Sequence, residues 1–477
     1  MFLAIDQGTT STRAVLFDEN FEVVKVARRK FRQIYPKEGW VEHDPNEIWK
    51  TVEEVVEEIL EDQDPKKIKV MGITNQRETV VAWDAKTGEP LYNAIVWQCK
   101  RTAPMTEELK KSYGDFIHER TGLVVDPYFS ASKMKWLIDN VAEVRKALDM
   151  GTLRFGTIDS FLAYKMTGKH VTDHSNASRT MLYNIHNGNW DDELLNIFSI
   201  PRFTLPEVIN TAKVIDVTRW GILLSAIVGD QQGALFGQLA FNEGDVKLTM
   251  GTGSFILMNT GENVVLSDEG LLTTVGWKIG EKKTYALEGS VFITGALIDW
   301  LVSIGLFKDP VEISELAEKS DNGGVYLIPA FAGLGAPHWD PKARGLLIGM
   351  TRATTKANIA RAALEGIAFS IKEIIDIMAE DANIEINVLR VDGGVSKSDT
   401  LLKIISKSIG VSVQRPKVVE TTARGAAMLA AVGSGLTNMD ELKSYMQVDV
   451  EISEKKGFKE EYNRWKKALK RAKNWTT

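Results

Sequence analysis

The sequence predicts an α/β protein in which one strand–turn–strand unit occurs twice and the two copies face a shared cleft. The first copy opens the chain. Apolar residues 2–5 run into Asp6-Gln7-Gly8-Thr9-Thr10, and a second β-rich run follows at 12–17, which reads as a hairpin whose bend holds a carboxylate, a glycine and hydroxyls. The second copy comes half a chain later, as residues 246–249, the turn Met250-Gly251-Thr252-Gly253-Ser254 and residues 255–258. Between them, residues 48–60 carry apolar side chains at helical spacing with Glu on the other face. Residues 70–74 and 80–83 return to strand character, and such alternation indicates α/β layers.

The apolar run 221–229 predicts a strand that stops at Asp230, with a small-residue helix beginning after Gln232. A later strand at 388–391 leads into Asp392-Gly393-Gly394. The boundary is placed near Leu239, giving units 1–239 and 240–477. No Pro/Ser-rich linker separates them, so the halves are expected to pack closely. From Glu454 onward the chain reads as a Lys/Glu/Trp-rich amphipathic helix docked by its apolar stripe.

Composition removes several function classes. Against 64 Asp+Glu the chain has 58 Lys+Arg, a net charge of −6, whereas a protein that holds a nucleic-acid backbone needs concentrated positive charge. The same balance gives no attraction to anionic membranes, and no apolar run reaches the ~20 residues that span a bilayer. The single cysteine, Cys99, rules out an internal disulfide framework. The opening MFLAIDQG lacks the basic and long apolar regions of a signal peptide, so a cytoplasmic chain is expected.

The chemistry-bearing residues cluster at the strand ends. A tight turn such as Asp6–Ser11 presents backbone N–H groups and hydroxyls that can cradle phosphate oxygens. Asp6 at the end of its strand suits magnesium, which keeps most of its water. One Gly/Thr turn alone is a weak signal, but two in duplicated positions, with Gly393-Gly394 after a third strand, are specific. No GxxxxGK[ST] motif is present, which excludes the P-loop route to nucleotide. Asp230, at a strand-to-helix junction, suits either a helix cap or a general base for an attacking alcohol; the phosphate turns favour the base. Arg77 and Glu78 follow a strand, and adjacent residues that serve one site must lie in a loop, because neighbours in a strand face opposite ways. His170 and His174 lie in a polar stretch that does not read as helix and are not expected to bind metal.

The segments DQGTTSTRA, WVEHDP, GITNQRET, AIVWQCKRT, DPYFSASK, HVTDHSNASRTMLYNIH, VGDQQGALFGQ, GTGSFILMNTG, LIPAFAGLGAPHWDP, GMTRATTKANIARAALEGIAF and VDGG together resemble the glycerol branch of the FGGY carbohydrate kinases, in order and over essentially the whole chain. The resemblance implies two ribonuclease H-like domains of the actin-like ATPase type, closing around ATP with Mg²⁺. It implies phosphate contacts from Thr9, Thr10, Ser11 and Arg13, with Thr252, Gly295, Asp299, Gly394 and Ser398 on the nucleotide side. Glycerol would be held by Arg77, Glu78, Tyr128, Asp230 and Gln231, between Trp97 and Phe255. Asp230 would be the base, with Arg77 and Asp6 also catalytic, and the metal would lie against Asp6 and Asp230. The implied reaction gives sn-glycerol 3-phosphate, the first step of glycerol catabolism, and a homodimer or homotetramer is expected. Fixed hydrogen-bonding groups suit a three-hydroxyl substrate, because an analogue lacking a hydroxyl strands them unpaired.

Some positions depart from the family pattern. Ser398 stands where relatives carry Asn, Asp299 where Gln is common and Ser254 where Cys is common. Residues 217–225 are shorter than the Gly-rich loop that binds a sugar bisphosphate inhibitor in some relatives, and offer only Arg219 and Gly221. The rival readings are a kinase for a pentulose and an actin-like or chaperone-like ATPase; only the Arg77/Glu78/Tyr128/Asp230 set separates them from a glycerol kinase.

Overall fold

The computed structural model describes residues 1–476, so Thr477 lies outside it. Strands β1 (Phe2–Gln7), β2 (Ser11–Phe17), β3 (Val23–Lys30), β4 (Val70–Asn75) and β5 (Leu223–Gly229) form one sheet in the order β3-β2-β1-β4-β5, closed at its edge by Ala212–Val217. Strands β6 (Asp245–Met250), β7 (Ser254–Gly261), β8 (Lys282–Val291), β9 (Val388–Asp392) and β10 (Val413–Pro416) form a second in the order β8-β7-β6-β9-β10. In both, the first three strands are antiparallel and the last two join parallel to the first. The duplication expected from two Gly/Thr turns is therefore a duplication of whole-sheet topology. In each sheet the turn after the first strand stands beside the C-terminal end of its parallel neighbour, where α/β folds bind ligands.

Helix α1 (Pro45–Leu60) covers β2 and β3, with Asp44 capping its first turn and Val52, Val55, Val56 and Ile59 buried. Helix α2 (Asp230–Gly237) starts at Asp230, not after Gln232, because Gly229 adopts the extended N-cap conformation and the turn closes from there. Helix α3 (Lys356–Ala382) covers the second sheet. Helix α4 (Thr421–Gly433), although from the second half of the chain, packs on β1, β4 and β5 of the first sheet and crosses α2. The crossing is as close as backbones allow: a Cβ at Gly425 would lie 1.9 Å from the Gly233 carbonyl oxygen. The two halves thus share a core at the floor of the cleft.

Helix α5 (Lys459–Ala472) begins later than Glu454, because Val448–Ile452 is an edge strand and Phe458 turns the chain through φ 62°. Its apolar stripe docks as expected. Trp465 is 1% exposed against Phe369 and donates from Nε1 to the Leu327 carbonyl at 3.1 Å. Trp465→Ala would cost about 3–5 kcal/mol of stability.

A separate four-stranded sheet, built from Glu42–His43, Ala94–Ile95, Val80–Asp84 and Leu153–Thr157, carries with its helices the loops of Trp97 and Tyr128. Among the described residues no helix is long and apolar enough to cross a membrane.

Candidate active site

β4 ends at Asn75, and Arg77 and Glu78 occupy the loop before Val80–Asp84, the placement expected for neighbours that face one site. Glu78 has φ 59°, a left-handed conformation that costs a non-glycine residue on the order of 1–3 kcal/mol and turns its side chain to the same cluster as that of Arg77. Arg77 is bidentate on Glu288, with Nη1 to Oε2 at 2.6 Å and Nη2 to Oε1 at 3.0 Å. Its Nε lies 3.2 Å from Oδ1 of Asp230. Glu78 accepts from Nε of Arg179 at 2.7 Å, and Nη2 of Arg179 donates to Glu288 at 3.0 Å.

Asp230 sits at the first position of α2, where the helix N-terminus favours negative charge, and is half-buried. Burial pushes its carboxyl above the usual carboxylate range, with Arg77 and Lys247 drawing it back. That is the environment of a base poised closer to neutrality. Gln231 accepts from Lys247 Nζ, whose ammonium is pulled down to about 8 by burial while Asp392 and Asp230 oppose the shift.

The aromatic residues expected to line the site come from two regions. Trp97 and Tyr128 meet edge to face with ring centroids 5.5 Å apart. The loop of Tyr128 is held by the buried Lys133, which donates to the carbonyls of Pro127, Tyr128 (2.7 Å) and Phe129 (2.9 Å). Phe255 on β7 is two residues from Leu257, the register partner of Glu288, and so shares a sheet face with the charged cluster.

The first Gly/Thr turn connects directly to this cluster. Gly8 N–H donates to the Ser11 carbonyl at 3.0 Å, and Thr9 Oγ1 accepts from Trp97 Nε1 at 3.0 Å. Thr10 is exposed at the tip, whereas Ser11 is buried with its hydroxyl on Arg28. Arg13 is paired with both Asp6 and Glu420.

On the other side of the cleft three segments converge. Gly295 donates its N–H to the Gly251 carbonyl at 3.0 Å, and Thr252 accepts through its backbone carbonyl from Thr294 at 2.9 Å. A Cβ at Gly295 would stand 2.6 Å from the Gly251 oxygen and 3.1 Å from Val395, which brings the loop of Gly394 alongside. Asp299 is exposed one turn further along the helix Gly295–Ser303. Ser398 caps the helix Asp399–Ile409 and lies 2.8 Å from the Ser314 hydroxyl.

The residues expected to hold the polyol therefore come together, and so do Thr252, Gly295 and Gly394. Sequence reasoning missed Glu288, Arg179, Lys247 and Glu420. A signal was present for two of them: Lys247 stands between Val246 and Leu248, and Glu288 follows the apolar run Tyr285–Leu287, and both are buried. His170 and His174 bond to Phe155 and Tyr183, and the described residues hold no group of three metal-ligating side chains.

The architecture of duplicated sheets around a cleft has known counterparts. Residues 1–237 match the N-terminal domain, and 246–434 the C-terminal domain, of the FGGY family of carbohydrate kinases. The chain is 52% identical over 487 residues to the glycerol kinase of Saccharolobus islandicus, covering 99% of this chain and 97% of that one. It is 49% identical to glycerol kinase 2 of Thermotoga maritima, with 99% of each covered. The structure superposes on Plasmodium falciparum glycerol kinase with ADP at a TM-score of 0.94 and 38% identity, over 99% of this chain and 98% of that one. It also superposes on a xylulose kinase of Lactobacillus acidophilus at a TM-score of 0.88 and 24% identity, covering 99% and 97%. The fold is thus the two-domain FGGY kinase form of the ribonuclease H-like, actin-like ATPase class. The chain belongs to the FGGY family of carbohydrate kinases, and to its glycerol kinase branch.

Proposed function

We propose that this enzyme transfers the γ-phosphoryl group of ATP to glycerol, yielding sn-glycerol 3-phosphate and ADP, by in-line displacement with Asp230 as general base. The observation that supports it most is the clustering of Arg77, Glu78, Asp230, Tyr128 and Trp97, linked to the first Gly/Thr turn through Thr9. Arg77 donates to a glycerol hydroxyl, Glu78 accepts from one, and Trp97 and Phe255 cover the carbon chain. Asp230 takes the proton of the attacking hydroxyl as the new O–P bond forms and the bridging oxygen leaves on ADP.

Asp6 and Asp230 are the carboxylates that fit Mg²⁺, which needs only one or two beside water and phosphate oxygens. The ion would supply charge neutralisation at the transferring phosphate. Thr9, Thr10 and the Gly251–Gly253 turn would meet phosphates from opposite sides, with Gly295 and Gly394 leaving room for the nucleotide.

A pentulose kinase reading is weaker, since the xylulose kinase likeness lies in the fold alone. The test is a panel of glycerol, smaller diols and ketopentoses with chiral analysis of the product. Preferred turnover of glycerol to the sn-3 ester is expected, and preference for a ketopentose would overturn the reading.

A further inference from the structure

Arg179 and Glu288 close a ring. Running round it, Arg77 pairs with Glu288, Glu288 with Arg179, Arg179 with Glu78, and Glu78 returns to Arg77 Nε at 3.9 Å. Two positive and two negative groups cancel, and each of the four side chains is at most 2% exposed. Arg77 and Glu78 are the substrate-facing pair. We infer that Arg179 and Glu288 are positioning residues that set polyol specificity, by fixing the donor edge of Arg77 and the acceptor edge of Glu78 at one separation; the inference rests on the reading of Arg77 and Glu78 as glycerol ligands.

Stability does not explain the ring. Buried ion pairs do no better on balance than well-packed apolar side chains, because desolvation offsets the attraction. Here the cost is raised further, since Nη1 of Arg179 is buried without a hydrogen-bond partner. What the ring supplies is fixed charge and direction. Arg179 spans two carboxylates with one rigid planar guanidinium, which fixes their relative direction where a flexible lysine ammonium would act as a point charge. Burial drives the Glu78 carboxyl upward, and Arg179, at 2.7 Å, is the strongest influence opposing that rise. Burial also acts on Glu288, but Arg179 and Arg77 more than offset it and bring that carboxyl down to about 2. Glu288 therefore stays charged, and Arg77 stays clamped, across the physiological range.

The members also come from different parts of the chain. Glu288 lies on β8 of the second sheet, whereas Arg77 and Glu78 follow β4 of the first. Arg179 follows the short helix His174–Ala177, in the segment DHSNASR, to which the reaction itself gives no role. The same segment secures the neighbouring loops: Ser175 Oγ accepts from Gly229 N–H, directly before Asp230, and Asn176 exchanges hydrogen bonds with Asn75, two residues before Arg77. One short stretch thus frames both loops that touch substrate.

The experiment compares the wild-type enzyme with Glu288→Gln and with the double variant Arg179→Met/Glu288→Met. A single change leaves a buried charge unpaired and can unfold the chain; the double variant removes one charge of each sign and keeps the cluster neutral. Thermal melts identify which variants are folded. In a folded variant the glycerol KM should rise roughly 10- to 100-fold, as expected for misplacing one charged hydrogen bond, while the ATP KM stays within about twofold. Discrimination between glycerol and a propanediol that lacks one hydroxyl should shrink by a similar factor. A folded double variant with wild-type glycerol KM and discrimination would overturn the inference, as would equal loss for both substrates. Wild-type enzyme without glycerol-dependent turnover would instead sink the underlying reading of Arg77 and Glu78.

Discussion

On the side of the cleft proposed to hold the polyol, the proposed contact groups are charged side chains locked to one another: Arg77, Glu78 and Asp230, backed by Arg179, Glu288 and Lys247. On the side proposed to hold the nucleotide, the turn at Gly251–Gly253, the helix start at Gly295 and the loop at Gly394 approach one another through backbone. The difference follows from the ligands proposed for each side. A small neutral polyol offers only hydroxyls, so selectivity requires fixed, desolvated donors and acceptors. A polyphosphate carries its own charge and is well served by backbone N–H groups and an open glycine surface. Substitutions should therefore act through charge geometry on one side and through space on the other.

The largest effect should come from Asp230→Asn, which keeps size and most hydrogen bonding but removes the base. Turnover should fall roughly 10²- to 10⁴-fold with nucleotide binding little changed, measured by steady-state kinetics and nucleotide titration. Near-normal turnover would reduce Asp230 to a helix-terminus residue. Next, Arg77→Ala should raise the glycerol KM by one to two orders of magnitude, roughly the value of a charged hydrogen bond, and spare the ATP KM. Comparable loss for both substrates would erase the contrast between the two sides.

The reverse pattern should follow Gly295→Ala. A Cβ there meets the Gly251 carbonyl oxygen at 2.6 Å, so the turn carrying Thr252 must shift. The ATP KM should rise about tenfold, with glycerol KM held; an unchanged ATP KM would show that the turn has no part in nucleotide binding.

A smaller, pH-dependent effect tests Asp230 from another direction. Its carboxyl is pushed up by burial, and only the ionised form accepts a proton, so turnover should decline as pH falls through the raised pKa. The acid limb should lie above the range of an ordinary aspartate and disappear from the residual activity of Asp230→Asn. A limb that persists in that variant would assign it to another group.

The smallest effect expected is none. Arg219, the one basic residue in the short segment before β5, is paired with Glu53, so little remains to match a bisphosphate. A sugar bisphosphate at millimolar concentration should leave activity unchanged, and saturable inhibition lost in Arg219→Ala would contradict this.

Much of this was legible in the sequence, because each Gly/Thr turn had to follow a strand and precede another, and their repetition implied a repeated sheet. The loop position of Arg77 and Glu78 was legible for a similar reason: neighbours in a strand cannot share a target. The crossing of α4 onto the first sheet was not, since small residues such as Gly425 and Ala426 state that something approaches closely but not what. Glu288 and Arg179 escaped notice because their partners lie more than a hundred residues away. The start of α2 was misplaced because the cap is Gly229, which ends the strand and supplies no capping side chain to mark the turn.

Glycerol-dependent phosphoryl transfer is tested most directly by the release of ADP, measured by coupled oxidation of a reporter, with and without glycerol. The result predicted is ADP release that depends on glycerol, saturates with it and matches glycerol phosphate formed one for one. ATP hydrolysis that proceeds at the same rate whether or not glycerol is present would contradict it, and would turn the duplicated phosphate turns toward an ATPase without a polyol acceptor.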